Sequence, residues 1–259
     1  MSTSAAAPED AHPAGTALHG AERKPLRVAL IQSSYIPWKG YFDIIHDVDR
    51  FIFYDDVQFT PRDWRTRNRV KTVHGLNWLT VPAGQKRTRL IHEVQLEDKT
   101  WGRKHWDTLR HAYGKAPHFA LYRPFLEHVY LERTWDSLSA LNQFMTKTIA
   151  TDFLNIQTEF RDSREFDLDG QKFERLFDLV TKSAATTYLS GPSARDYIEP
   201  ERFAAAGINL QYKSYEGYPE YSQLHPPFEH AVSILDLLFH TGPAAPEFIW
   251  GWRDGRRNG

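Results

Sequence analysis

Residues 27–32 read RVALIQ, a short run with an apolar centre, VALI, set just behind Pro25. A run this short, closed by the polar turn SSYI at 33–36, reads as a strand buried on both faces. A second such run, FIFY, follows at 51–54. Between them Trp38, Tyr41, Phe42 and Ile45 recur at helical spacing, with Pro37 suited to a first helical position. Strand, helix and strand in so few residues point to a parallel sheet, with a ligand crevice at the C-terminal ends of its strands.

The rest of the chain fits an α/β fold: a central, mostly parallel sheet with a β-hairpin insertion and a helical middle segment. Residues 55–69 form a polar, arginine-rich loop, and 70–73 with 77–81 flank His74-Gly75-Leu76 as a hairpin. The loop at 85–89 is basic, and 90–96 alternates as a further strand would. Residues 99–113, 119–131 and 135–154 are amphipathic helices. Strands are then expected at 155–160, 187–189 and 208–212, with helices at 170–181, 201–206 and 231–239. Residues 1–25, rich in Ala, Pro, Gly and charge, are expected to be a disordered tail, and 26–250 a single α/β domain. The segment after Gly251 is polar and expected to fray.

Composition narrows the chemistry. There is no cysteine, which removes thiolate nucleophiles and cysteine-ligated metals and fits a cytoplasmic setting. No stretch approaches the ~20 apolar residues of a membrane span, and the N-terminal segment lacks the apolar region of a secretory signal. The formal net charge of -1 gives no global footprint for nucleic acid, so only a local basic patch could hold phosphate. The 12 histidines include no metal-binding pair of the HExxH kind, and no Walker A, GxGxxG or GxSxG motif occurs.

Four constellations could carry chemistry. QSSYIPWKGYF at 32–42 stands where a strand hands over to a helix; Gln32 and Tyr35 are candidate ligand contacts, Trp38 a pocket wall or turn packing, and Gly40 a place where a ligand or another backbone comes close. YDDVQF at 54–59 sets Asp55 and Asp56 at a strand end, with Gln58 just beyond. Adjacent strand residues face opposite ways, so only one of the two carboxylates meets a given site. A general base, a Mg²⁺ ligand and a plain Asp turn all remain open for them. RDWRTRNR at 62–69 offers Arg62, Arg67 and Asn68 as a phosphate or carboxylate clamp and Trp64 as a stacking surface, against an internal salt-bridge network. YLSGPSARDY at 188–197 supplies Ser190, Ser193 and Arg195 as an anion nest, against an ordinary serine N-cap. His225, in the QLHPP loop, could serve as acid or base, although a structural hydrogen bond is the commoner role.

Together these segments, with NWLTVP at 77–82, Trp106, YSQLH at 221–225 and SILDLLF at 233–239, resemble the WbqC-like protein family over nearly all of residues 27–242. The chain departs from the family pattern at Ala231 and His240, where the family has Asn. The resemblance implies a protein of O-antigen or natural-product gene clusters. It implies an acyl or aminoacyl transferase, with glycine as one donor, forming an amide on an amino sugar or secondary-metabolite amine. The alternative is a non-catalytic module that binds a nucleotide sugar or a partner. Asp55, Asp56, Arg62 and His225 are then the candidate catalytic groups, and a nucleotide sugar or a carrier-bound aminoacyl donor the candidate substrate. ATP with Mg²⁺ is a candidate cofactor, because residues 32–42 also resemble the start of nucleotidyl-transferring α/β enzymes. Where those carry HxGH, Trp38 and Tyr41 replace the two histidines.

Overall fold

The first strand, β1 (Arg27–Ile31), ends up at the middle of a five-stranded sheet in a computed structural model that describes residues 24–255. All but the last two residues of the tail expected at 1–25 lie outside the described residues. The crossover helix α1 (Lys39–His46) leads to β2 (Arg50–Phe53), which pairs parallel to β1. Later come β5 (Glu159–Asp162), β6 (Thr187–Ser190) and β7 (Asn209–Tyr212), and the spatial order is β5-β2-β1-β6-β7 with every pairing parallel.

Both faces of this sheet are covered at the inner strands, which is why β1 and β2 read as apolar runs, whereas the edge strands β5 and β7 are only partly buried and read as mixed. Alternate residues serve the two sides. Ala29, Phe51, Phe53 and Leu189 join a large core with α1, α2 (Trp101–Tyr113), α3 (Phe119–Glu127), α4 (Leu138–Thr148) and α7 (Ile234–Thr241). Val28, Leu30, Ile52 and Tyr188 join a smaller core under α5 (Phe173–Lys182) and α6 (Pro200–Ala205). The hairpin, β3 (Arg67–Thr72) and β4 (Gly75–Thr80), is a separate antiparallel pair, with Gly75 taking the positive φ of 97° that the turn needs.

Four expectations are corrected. Residues 90–96 are not a strand: Glu93 accepts the Leu90 N–H at 2.7 Å and winds a 3₁₀ turn at Ile91–Glu93, leaving isolated bridges at Leu90 and Gln95. The strand expected at 155–160 starts later, because Asn155 adopts a φ of 53° and Thr158 donates to the carbonyls of Ile45 and Val48. Pro37 lies two residues ahead of α1, whose N-cap is Trp38. Residues 251–255 are not frayed: a short helix, α8 (Gly251–Gly255), carries Arg253 onto Asp43 and Asp47, and the rest of the segment expected to fray lies outside the described residues.

The chain adds β2 and β5 on one side of β1 and β6 and β7 on the other, so the connection reverses direction between β1 and β6. That is the switch point where open α/β sheets form ligand crevices. The β1–β6 ladder holds only at Arg27–Thr187 and Val28–Tyr188, whereas the neighbouring pairs run over four registers. The two strands therefore part toward their C-terminal ends.

Candidate functional site

A cavity of about 1010 Å³ opens where β1 and β6 part. Its floor comes from Leu30, Ile31 and Tyr188 on the strands, and its sides from the loops that follow them. Gln32, Ser34, Pro37 and Trp38 come from the loop after β1, and Ser190, Gly191 and Ser193 from the loop after β6. Trp64, Arg65, Asn68 and Arg69 close one side from the hairpin module, and Lys172 and Phe173 the other from the start of α5.

The loop after β1 is held in an uncommon shape. Ile36, a β-branched residue, has a φ of 37°, a conformation maintained only where neighbours fix it. Asn68 supplies that restraint: its side-chain amide donates to the carbonyls of Tyr35 at 3.2 Å and Ile36 at 3.0 Å, and its Oδ1 accepts the Arg69 N–H at 2.8 Å. The Tyr35 N–H donates to the Trp64 carbonyl at 2.9 Å. Asn68 thus reaches the cavity wall but spends its polar atoms on shaping it.

The charge of the wall is one-sided. Among the described residues its ionised side chains are Arg65, Arg69 and Lys172, and no Asp, Glu or His lines it. Arg65 is partly neutralised, donating to Gln32 Oε1 at 3.0 Å and standing 3.3 Å from Asp63. Arg69 has no carboxylate within 4 Å among the described residues, and its buried Nε has no hydrogen-bond partner. Ring side chains supply much of the remaining surface: Trp38, Tyr41, Tyr54, Trp64, Tyr188, Tyr197 and Tyr215. Trp38 packs edge-on to Tyr215 with centroids 5.1 Å apart, and burial pushes the Tyr215 hydroxyl up to about 12, helped by Asp43 and Asp47. The wall's phenols are donors, not bases, at neutral pH.

Of the residues named from the sequence, Gln32, Trp38, Trp64, Asn68, Ser190 and Ser193 line the cavity. The others stand elsewhere. Asp55 is fully buried behind the β1 loop and accepts from the Ser33 N–H at 2.8 Å, Ser139 Oγ at 2.5 Å and Gln143 Nε2 at 3.3 Å. Asp56 faces the opposite way, as the strand period requires; it accepts from Ser163 Oγ at 2.5 Å and is paired with Arg175. Tyr35 is in the core, its hydroxyl 2.7 Å from both His105 Nδ1 and the Tyr130 hydroxyl. Burial lowers the His105 pKa to about 4, so this imidazole is neutral.

Gln58 and Arg62 are exposed beyond the cavity, and Gln58 donates to the Arg87 carbonyl at 3.4 Å. Arg67 lies over the Trp78 ring at 4.3 Å, and Arg195 over Tyr212 at 4.8 Å. His225 sits half-buried in its loop, also outside the wall. Among the described residues no group of three or more His, Asp or Glu is gathered as metal ligands would be.

Sequence reasoning did not single out Arg65, Arg69, Lys172, Tyr54, Tyr188, Tyr197 or Tyr215 as ligand contacts, although Arg65, Arg69, Tyr54, Tyr188 and Tyr197 stand inside its constellations. A further signal existed for Arg69. Arg65, Arg67 and Arg69 alternate at strand period, so a β3 beginning at Arg67 sets 67 and 69 on one face. Lys172 and Tyr215 come from distant loops and gave none.

A family model described as the WbqC-like protein family matches residues 32–248. The chain is similar to the "Uncharacterized protein Rv1507c" of Mycobacterium tuberculosis (strain ATCC 25618 / H37Rv), 45% identical over 225 residues, covering 86% of this chain and 97% of that protein. No solved structure matches the chain. The matched span runs from Gln32 in the cavity wall past α7, taking in every loop that builds the cavity.

Proposed function

The chain belongs to the WbqC-like protein family, and from that premise we propose that its cavity binds an anionic, ring-bearing small molecule of the nucleotide-sugar class and transfers an acyl or aminoacyl group to an amine on it. The observation that carries the binding half is the wall itself: three cations, many aromatic rings and no carboxylate. Phosphate suits guanidinium forks, and Arg69 is the fork without an internal anion. Sugar and base faces suit Trp and Tyr rings. A volume of about 1010 Å³ lies at the upper end of the ~300–1,000 Å³ of single small-ligand pockets, which leaves room for a second reactant.

In the transfer half, an amine attacks an activated carbonyl, and negative charge grows on the carbonyl oxygen. Donors for that charge come from Arg65, Arg69 and the hydroxyls of Ser190 and Ser193. Asp55 and Asp56 enter as positioning residues. Asp55 fixes the loop after β1, and Asp56 ties β2 to Ser163 and to Arg175 of α5. ATP with Mg²⁺ remains a way to activate a free carboxylate in this reading, and a carrier ester is the other.

A second reading, a binding module without turnover, is favoured by one observation: among the described residues no Asp, Glu or His lines the cavity to take the amine's proton. Calorimetry against UDP-linked amino sugars, paired with mass spectrometry of the ligand after incubation with an acyl donor, separates the two. Binding with a new amide supports transfer. Binding without one supports the module. Affinity unchanged in R69A would overturn the site itself.

A further inference from the structure

Between Val57 and His92 every Lys, Arg, Asp or Glu except Asp63 is basic, in a chain whose formal net charge is -1. The structure makes this stretch one module. Phe59 N–H donates to the Arg89 carbonyl at 2.9 Å, Val81 N–H to the Thr66 carbonyl at 2.8 Å, and Gln58 to the Arg87 carbonyl at 3.4 Å. The hairpin register decides which side chains face outward. Asn68, Val70 and Leu79 are buried on one face, and the opposite face carries Arg67 and Arg69 on β3 with Trp78 and Leu76 on β4, while Lys71 on that same face is buried against Gln223 and Pro227. Trp78 is 41% exposed, and the 47% exposed Trp64 lies 5.6 Å from it, centroid to centroid. Trp64 also lines the cavity, so the outer face runs continuously into the cavity mouth. Arg67, like Arg69, has no carboxylate within 4 Å among the described residues, and Lys86 and Arg87 stand exposed on the adjoining loop.

Unpaired cations beside exposed indole rings are how proteins hold single-stranded nucleic acid: charge tracks the phosphates and the rings stack on bases. An acidic protein would answer the charge but would leave the exposed Trp64 ring, and the part of Trp78 that Arg67 does not cover at 4.3 Å, without a planar partner. We propose that this face docks the single-stranded end of an RNA bearing an aminoacyl ester, and that Trp64 passes the ester into the cavity. The delivery rests on the cavity reading above; the docking surface does not. The step is complete without a further reagent. The acceptor's amine nitrogen attacks the ester carbonyl carbon, a C–N bond forms, the C–O bond to the ribose breaks, and the amine's proton ends on the released ribose hydroxyl.

The test uses the full chain, a labelled single-stranded RNA oligonucleotide read by anisotropy and tryptophan quenching, and a polyglutamate peptide as the acidic-protein comparator. RNA binding is expected to weaken with salt at a log–log slope of about -3, from Arg67, Arg69, Lys86 and Arg87 at ~0.7 each. W78A should weaken it about tenfold, the loss of one stacked base. K86S/R87S, on an exposed loop, should reduce the slope by about 1.4 even if W78A were to fold poorly. Neither Lys86 nor Arg87 lines the cavity, so calorimetry with a UDP-linked amino sugar should be unchanged in K86S/R87S. With that acceptor, an aminoacylated oligonucleotide should give an amide without ATP. No RNA binding, or polyglutamate binding as tightly and W78A having no effect, overturns the docking surface. An amide formed only from free amino acid with ATP overturns the delivery. RNA binding without sugar binding sinks the cavity reading and leaves the surface standing.

Discussion

Asp55 Oδ1 accepts the backbone N–H of Ser33 at 2.8 Å, a link from the end of β2 to the first turn after β1. With Ser139 and Gln143 on the other oxygen, every donor around this carboxylate comes from the protein. Replacing it by Ala leaves three buried donors without their acceptor. D55A is expected to cost about 2–4 kcal/mol, seen as a lower urea midpoint at unchanged slope. Cavity affinity should fall with it, because Ser34, Pro37 and Trp38 follow Ser33 into the wall. A variant that kept its stability and lost only turnover would return Asp55 to the chemistry.

His105 gives the fold a pH dependence of known sign. Burial holds its pKa near 4, against 6.5 in a solvated chain, so between those values the unfolded state binds more protons. Stability is full above about pH 6.5 and declines as pH falls toward 4, by at most about 3 kcal/mol. His230 is also lowered by burial and shifts stability the same way, so the comparison must be within one background. H105F should flatten the decline between pH 6.5 and 4, as read by thermal unfolding at each pH. An identical decline in H105F would show that another group sets it.

The strand–helix–strand opening was legible because a double-covered strand leaves an apolar run whatever else surrounds it, as 27–31 and 51–53 do. The crevice followed from that, since a parallel sheet fixes where strand ends gather. Gln32, Trp38, Ser190 and Ser193 stand near those ends in the sequence and line the cavity, whereas Trp64 reaches it from the arginine-rich segment at 62–69. Asp55 and Asp56 stand near a strand end too, yet their partners Ser139, Ser163 and Arg175 lie 84, 107 and 119 residues away, and no local pattern announces such donors. Lys172 and Tyr215 reach the wall from remote loops for the same reason. Gly40 was read as room for a ligand or another backbone, and the structure fills that room with the chain's own Trp38.

That relation gives a third expectation. A Cβ on Gly40 would lie 2.3 Å from Cζ2 of Trp38, inside any allowed contact. Gly to Ala within a helix ordinarily stabilises by about 0.5–1 kcal/mol. Here the indole must swing away, so G40A should destabilise instead, by about 1–3 kcal/mol. The displaced ring lines the cavity against Tyr215, so sugar-nucleotide affinity should drop about tenfold or more, with a shifted tryptophan emission. A gain of stability in G40A would mean that the ring does not rest on the helix.

The remaining expectation concerns the ion cluster under α1. Lys213 Nζ stands 2.5 Å from Asp47 Oδ2 and 2.9 Å from Asp43 Oδ2, and the Lys213 and Asp43 side chains are 4% and 2% exposed. Tyr218 donates to Asp43 at 2.6 Å, and Arg253 of α8 closes the outer side. Because water is excluded, breaking the set should cost more than a surface pair, whose median is about 0–1 kcal/mol. K213M leaves Asp43 buried with one fewer cation and is expected to cost about 3–5 kcal/mol. D43L should be costly for the mirror reason, leaving Lys213 with Asp47 alone. The double variant K213M/D43L removes both charges and should recover part of the sum, because a buried pair and a well-packed apolar pair are close in free energy. A double-mutant cycle by urea unfolding measures this directly. Strictly additive losses would show that Lys213 and Asp43 act independently, with Asp47 and Arg253 carrying the cluster.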